Sequence, residues 1–103
     1  MRTIFFDVDT QRDFMDKSGK LYVPKAETII PNLKALTELA HKHGVQIVSS
    51  MSRHRKDSPA LKRNGGKLPD HCMDGTSGQE KIAVTRQHGA VYAEQRRRYI
   101  PTQ

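Results

Sequence analysis

The chain has 103 residues, with 18 lysines and arginines against 11 aspartates and glutamates, for a net charge of +7. That length holds one small domain with a limited core. A lone cysteine, Cys72, excludes an internal disulfide, and no apolar run approaches the ~20 residues of a spanning helix.

Apolar residues make up 35% of the chain, below the usual share of a globular domain. A small sheet wet on one side, or burial against a partner, is expected. The positive charge is concentrated at Arg53, Arg55, Lys56, Lys62, Arg63 and Lys67 and again at Arg96-Arg97-Arg98. Stacking platforms for nucleic acid would interleave aromatics with these runs. Tyr22, Tyr92, Tyr99, Phe5, Phe6 and Phe14 are not so placed, so a solvated basic surface or attraction to small anionic substrates is the better reading. Met1-Arg2 leads into only a short apolar run, unlike a secretory leader. With the free thiol this suggests a cytoplasmic protein without a membrane partner.

In chain order, Arg2 to Val8 reads as a strand, its consecutive Ile4, Phe5 and Phe6 suited to burial on both faces. Residues 15–24 read as a loop. A helical period follows from about Ala26 to His43, with Ile29, Leu33, Leu36 and Ala40 on one face, Pro31 near its start and Gly44 past its end. His41 and His43 suit its last turn. Val45 to Val48 is the second strand, ending in Ser49-Ser50, which makes a βαβ unit with parallel strands. Residues 52–70 have no periodicity, as in a functional or disordered loop. A helical turn over Gln79 to Val84 and a third strand over Ala90 to Glu94 follow, and Ile100-Pro101 ends any element there.

The chemistry is concentrated where the first strand ends, at Asp7, Asp9 and Asp13, since ligands bind at the carboxyl ends of parallel strands. Taken alone, Asp7-Val8-Asp9 resembles the Asp-x-Asp strand end of haloacid-dehalogenase-type, metal-dependent phosphatases, with Ser49-Ser50 imitating their second motif. Thr10 and the lack of a later acidic pair depart from that pattern.

Three further segments point elsewhere. Asp9-Thr10-Gln11-Arg12-Asp13-Phe14 resembles the Asp-x-Gln-x-Asp-Phe opening of the isochorismatase-like cysteine hydrolases, which include the nicotinamidases. Leu21 to Asn32 is similar to the segment that follows it there, and Pro69 to Gly78 is similar to the family's Pro-x-His-Cys-x-x-Gly-Thr-x-Gly. The resemblance implies an α/β fold, a Rossmann-like three-layer parallel sheet, here of about three strands with flanking helices. That is half of an isochorismatase-like domain, with residues 1–103 as a single truncated unit.

It also implies Asp9 as the catalytic base, working in the family with a Lys after the third strand and a later Cys nucleophile. Gln95 or Arg96 stands where the Lys is expected, and Cys72 matches the loop cysteine rather than the nucleophile. A divalent ion, Zn²⁺ or another, is held in the family by an Asp and histidines. His54 and His71 match, but Ser52 stands at the Asp position.

Other groups read as structural: Asp7 as a loop or cap acid, Asp13 as an acceptor for backbone donors or a nearby Arg, His71 as a hydrogen-bonded histidine, and His88 as a loop residue without a special role. The expectation is an amide or related C–N hydrolase, incomplete or inactive as this chain alone. The alternatives are the phosphatase and a non-catalytic interaction domain. A small-molecule substrate and a homo-oligomer or partner chain completing the sheet are the expected partners.

Overall fold

Ile4-Phe5-Phe6-Asp7-Val8 forms strand β1, and its aromatic and β-branched side chains suit a pleated, part-buried surface. The computed structural model describes residues 1–93. The expectations at Gln95, at the Arg96-Arg97-Arg98 run and at Ile100-Pro101 lie outside the described residues. Strand β1 pairs in parallel with β2 (Gln46–Ser52), placing Phe6 opposite Val48 and Asp7 opposite Ser49. On the other side of β2 lies β3 (Val91–Ala93), also parallel, with Ser50 opposite Val91. Among the described residues the order β1-β2-β3 makes β2 central and leaves β1 at an edge.

Between β1 and β2 the chain crosses through α1 (Arg12–Met15) and α2 (Ile30–His43). The helix expected from Ala26 divides: residues 26–29 are a 3-10 turn, and the α-helix begins at Ile30 with Pro31 in its first turn. Gly44 ends it in the left-handed conformation, φ 65°, donating to the Ala40 and His41 carbonyls. The turn expected over Gln79 to Val84 is instead two 3-10 turns, Ser77–Gln79 and Ala83–His88. Residues 52–70 close on themselves, Lys62 N–H reaching the Leu68 carbonyl at 2.7 Å and Leu68 N–H the Ala60 carbonyl at 3.1 Å around a fully buried Leu61. No helix among the described residues is long and apolar enough to cross a membrane.

The core is small, as the composition implies: Met15, Ala26 and Ile82, with Tyr22, Ile30, Leu33 and Val84 packed around them. The expected apolar face of α2 is only partly covered. Ala40 and Thr37 are buried, while Ile29 and Leu36 are 44% and 49% exposed. Along β1, Ile4, Phe6 and Val8 are 48–63% exposed. This apolar surface lies beside and on the free edge strand.

Candidate active site at the carboxyl end of the sheet

Asp9 follows β1 directly, with φ at 53°, a left-handed conformation that aspartate tolerates better than most residues. Its N–H donates to the Ser50 carbonyl at 3.1 Å. Its carboxylate accepts the Ser50 hydroxyl at 2.9 Å and the Ser52 hydroxyl at 3.2 Å. It also lines an open cavity of about 600 Å³ with Phe14, Val23, Pro24, Lys25 and Ile29. The predicted base therefore lies at the sheet end, beside space for a ligand.

Gln11 and Asp13, a few residues on, tie the neighbouring segments together. Gln11 is fully buried. Its amide donates to the Ser52 carbonyl at 2.8 Å and the Gln79 carbonyl at 2.7 Å and accepts the Ser52 N–H at 2.8 Å. Asp13 accepts the Cys72 N–H at 2.7 Å and the Lys20 N–H at 3.1 Å, as expected of an acceptor for backbone donors. Together these residues fasten the Pro69–Gly78 loop and the end of β2 to α1.

Two histidines predicted as ligands meet here. His54 and His71 are buried, with ring centroids 4.5 Å apart, and Phe14 lies 5.6 Å from His71. His71 Nδ1 donates to the Pro69 carbonyl at 2.8 Å, and His54 Nδ1 lies 2.8 Å from the Ser58 hydroxyl. Burial, with His71 nearby, holds the His54 imidazole below its ordinary pKa, which favours a neutral ring. Both of these bonds run through Nδ1. Ser52 gives its hydroxyl to Asp9, and among the described residues no three His, Cys, Asp or Glu side chains converge on a metal position. A catalytic zinc site uses three protein ligands, so these two imidazoles do not make one by themselves.

Cys72 is fully buried in the left-handed region, φ 47°. Burial and the charges of Asp13 and Asp9 push its thiol up to about 12, so it is no nucleophile at neutral pH. Iodoacetamide at pH 8 is accordingly expected to leave the native chain unmodified and to label it in denaturant, as read by intact mass; rapid native labelling would contradict this burial.

The first strand's other acid departs from expectation. Asp7 is not a loop or cap residue. Its side chain is 7% exposed and its Oδ2 faces Lys81 Nζ at 3.0 Å and His88 Nδ1 at 2.9 Å, with Lys81 3% and His88 5% exposed. The Ser49 hydroxyl donates to Asp7 at 3.1 Å and the Thr10 hydroxyl at 2.8 Å. Burial pushes the Asp7 carboxyl up, but the bonds from His88, Lys81 and Thr10 outweigh it and hold it below its ordinary value. A carboxylate enclosed by four donors cannot attack phosphorus, which removes the basis of the phosphatase reading. His88 is a buried partner rather than an idle loop residue. The sequence reading missed Lys81 altogether; the available signal was Asp7 itself, since a charge in an apolar strand requires a buried counter-charge.

No known sequence family matches the chain, and no curated protein matches it in sequence. Solved structures do match. The pyrazinamidase of Pyrococcus horikoshii, solved in complex with zinc, is 26% identical, with TM-score 0.83 over 95% of this chain and 55% of that one. The yeast nicotinamidase Pnc1p is 25% identical, with TM-score 0.74 over 91% of this chain and 57% of its own. An isochorismatase-like hydrolase from Alkaliphilus metalliredigens is 25% identical, with TM-score 0.71 over 82% and 46%. The chain spans about half the length of the structures it matches. With the Asp9 corner and the His71 loop at the sheet end, it carries the isochorismatase-like, nicotinamidase-related hydrolase fold over about half of that domain's length.

Proposed function

We propose that this chain is the base-bearing part of a hydrolase that cleaves amides or related C–N bonds in small molecules, nicotinamide-like amides being the first class to try. The observation that carries the reading is Asp9: a carboxylate at the end of β1, in a left-handed turn, bordering a 600 Å³ cavity with Phe14. In this reading Asp9 takes the proton of a thiol supplied from outside the described residues. The thiolate attacks the amide carbonyl, the C–N bond breaks, and Asp9 returns the proton to the departing amine. Water then hydrolyses the thioester. Cys72 cannot supply the thiol, being buried and protonated, so the 103-residue chain alone is expected to be inactive. We place it in the cytoplasm, in keeping with its single reduced thiol.

The same proposal includes a partner for the edge of β1. In doubly wound sheets of order 3-2-1-4-5-6, strands add beside the first strand and the ligand crevice opens at its carboxyl end. Exposed Ile4, Phe6, Val8 and Leu36 suit such strands, supplied by a second copy or another chain. Light scattering after size exclusion checks the self-association arm together with co-expression of candidate partners; a stable, soluble monomer that binds neither counts against it.

The deciding experiment measures ammonia release from nicotinamide by the assembled protein. Asp9→Asn is expected to lower it by about 100-fold or more, and undiminished activity would sink the base assignment. A divalent ion is a second reading, favoured by the 4.5 Å approach of His54 and His71. Restoring the third donor with Ser52→Asp is expected to tighten Zn²⁺ binding by about tenfold or more in calorimetry; no change would exclude these histidines as ligands.

A further inference from the structure

We propose that the buried Asp7–Lys81–His88 cluster is the positioning element for Asp9, fixing the backbone that aims its carboxylate. The proposal rests on the reading of Asp9 as the base. A left-handed aspartate is held at a cost of about 1 kcal/mol, and something must hold it. Both residues near it are tied to the cluster. The Thr10 hydroxyl reaches back over Asp9 to Asp7 Oδ1 at 2.8 Å. Lys81 Nζ lies 3.0 Å from Asp7 Oδ2, 3.3 Å from Thr10 Oγ1 and 3.4 Å from the Ser50 carbonyl. That same Ser50 carbonyl receives the Asp9 N–H at 3.1 Å. The lysine thus touches Asp7 and Thr10, which flank Asp9 at two residues before and one after, and the acceptor of the Asp9 amide.

The main chain reinforces the arrangement. Residues 80–82 run along residues 10–12, Ile82 N–H donating to Thr10 at 3.0 Å and Arg12 N–H to Glu80 at 2.8 Å. His88 bonds Asp7 through Nδ1 at 2.9 Å and meets Thr37 Oγ1 of α2 through Nε2 at 3.1 Å, so the cluster is also braced against the helix. A buried ion pair kept for stability alone is replaceable by apolar groups at little loss. What apolar groups could not supply is the set of directed bonds to Asp7, Thr10 and Ser50.

Amide hydrogen exchange and the φ-sensitive three-bond coupling of Asp9, measured by NMR, test this. The Cys72 amide, bonded to Asp13, serves as the internal reference. In Lys81→Met the Asp9 amide is expected to exchange about tenfold faster relative to Cys72, the loss of roughly one buried hydrogen bond, with its coupling moving away from the left-handed value. Lys81→Arg is expected to restore both in part. Unchanged Asp9 readouts in a folded Lys81→Met, or equal acceleration at Asp9 and Cys72, would overturn the proposal. Should Lys81→Met not fold, Thr10→Val removes the bridge over Asp9, with the Thr10 contacts to Lys81 and Thr85, while keeping the Asp7–Lys81 pair, and the same readouts decide. None of them requires turnover, so failure of the base assignment shows separately, as Asp9→Asn with intact amidase activity.

Discussion

Replacing Gly19 with alanine is expected to destabilise the protein by about 3 kcal/mol or more, the largest effect of any single methyl group near the site. A Cβ there would lie 2.6 Å from the Asp13 carbonyl carbon and 2.8 Å from the Arg12 carbonyl oxygen. Those are backbone atoms of α1 and cannot swing aside. Relief must come from moving the 16–22 loop, which breaks the Leu21 N–H bond to the Asp13 carbonyl and the Lys20 N–H bond to its carboxylate. Gly78 presses on the same residue from the other side, where a Cβ would overlap the Asp13 carboxylate. That carboxylate is held by the Cys72 N–H, so Gly78→Ala should release the His71–Cys72 loop and cost nearly as much. Gly75 is the control: φ is 81° and no atom lies within 4 Å of its would-be Cβ, so Gly75→Ala carries only the left-handed penalty of about 1 kcal/mol. Urea unfolding of the three variants checks the order. If Gly19→Ala costs no more than Gly75→Ala, Asp13 is not the enclosed hub described here.

How far the sequence carries depends on whether the interaction is local. β1, α2 and β2 are legible because each has its own signal: an aromatic strand, a helical period bounded by Pro31 and Gly44, and a short aliphatic run. Asp9 and Asp13 are legible because a motif six residues long fixes them within one corner. The 26–29 turn is missed because Pro31 is compatible with a helix starting either side of it. Ile29 and Leu36 are assigned to a buried stripe, yet both are nearly half exposed and line a cavity with Ile4, Phe6 and Val8 of β1. Periodicity reports a helix's apolar face, not whether anything lies against it. The hardest case is Lys81, which lies 74 residues from Asp7 and 71 from Thr10 in sequence. No spacing rule reaches that far, and Gln79-Glu80-Lys81 reads like any solvated polar stretch.

Lys81→Met is expected to cost about 3–5 kcal/mol, because it leaves the Asp7 carboxylate buried without its cation. Asp7→Leu in the same chain should recover most of that loss, since the pair then becomes an apolar contact and the desolvation cost disappears with both charges. His88 then keeps Thr37 as its partner. The pH dependence follows from the direction of the Asp7 shift. Its carboxyl is held below the ordinary value of 3.8, so the contribution to stability is present above about pH 4 and is lost as pH falls through the lowered folded-state value. The wild-type chain should therefore lose urea resistance on acidification below about pH 4, and the Asp7→Leu/Lys81→Met chain should lose less over the same range. Urea midpoints from pH 7 to pH 3 for the wild type, both single variants and the double variant close the cycle. A double variant no more stable than Lys81→Met would mean that the cluster's directed bonds, rather than its charge balance, hold this half-sheet together, and would make the positioning of Asp9 a condition of folding.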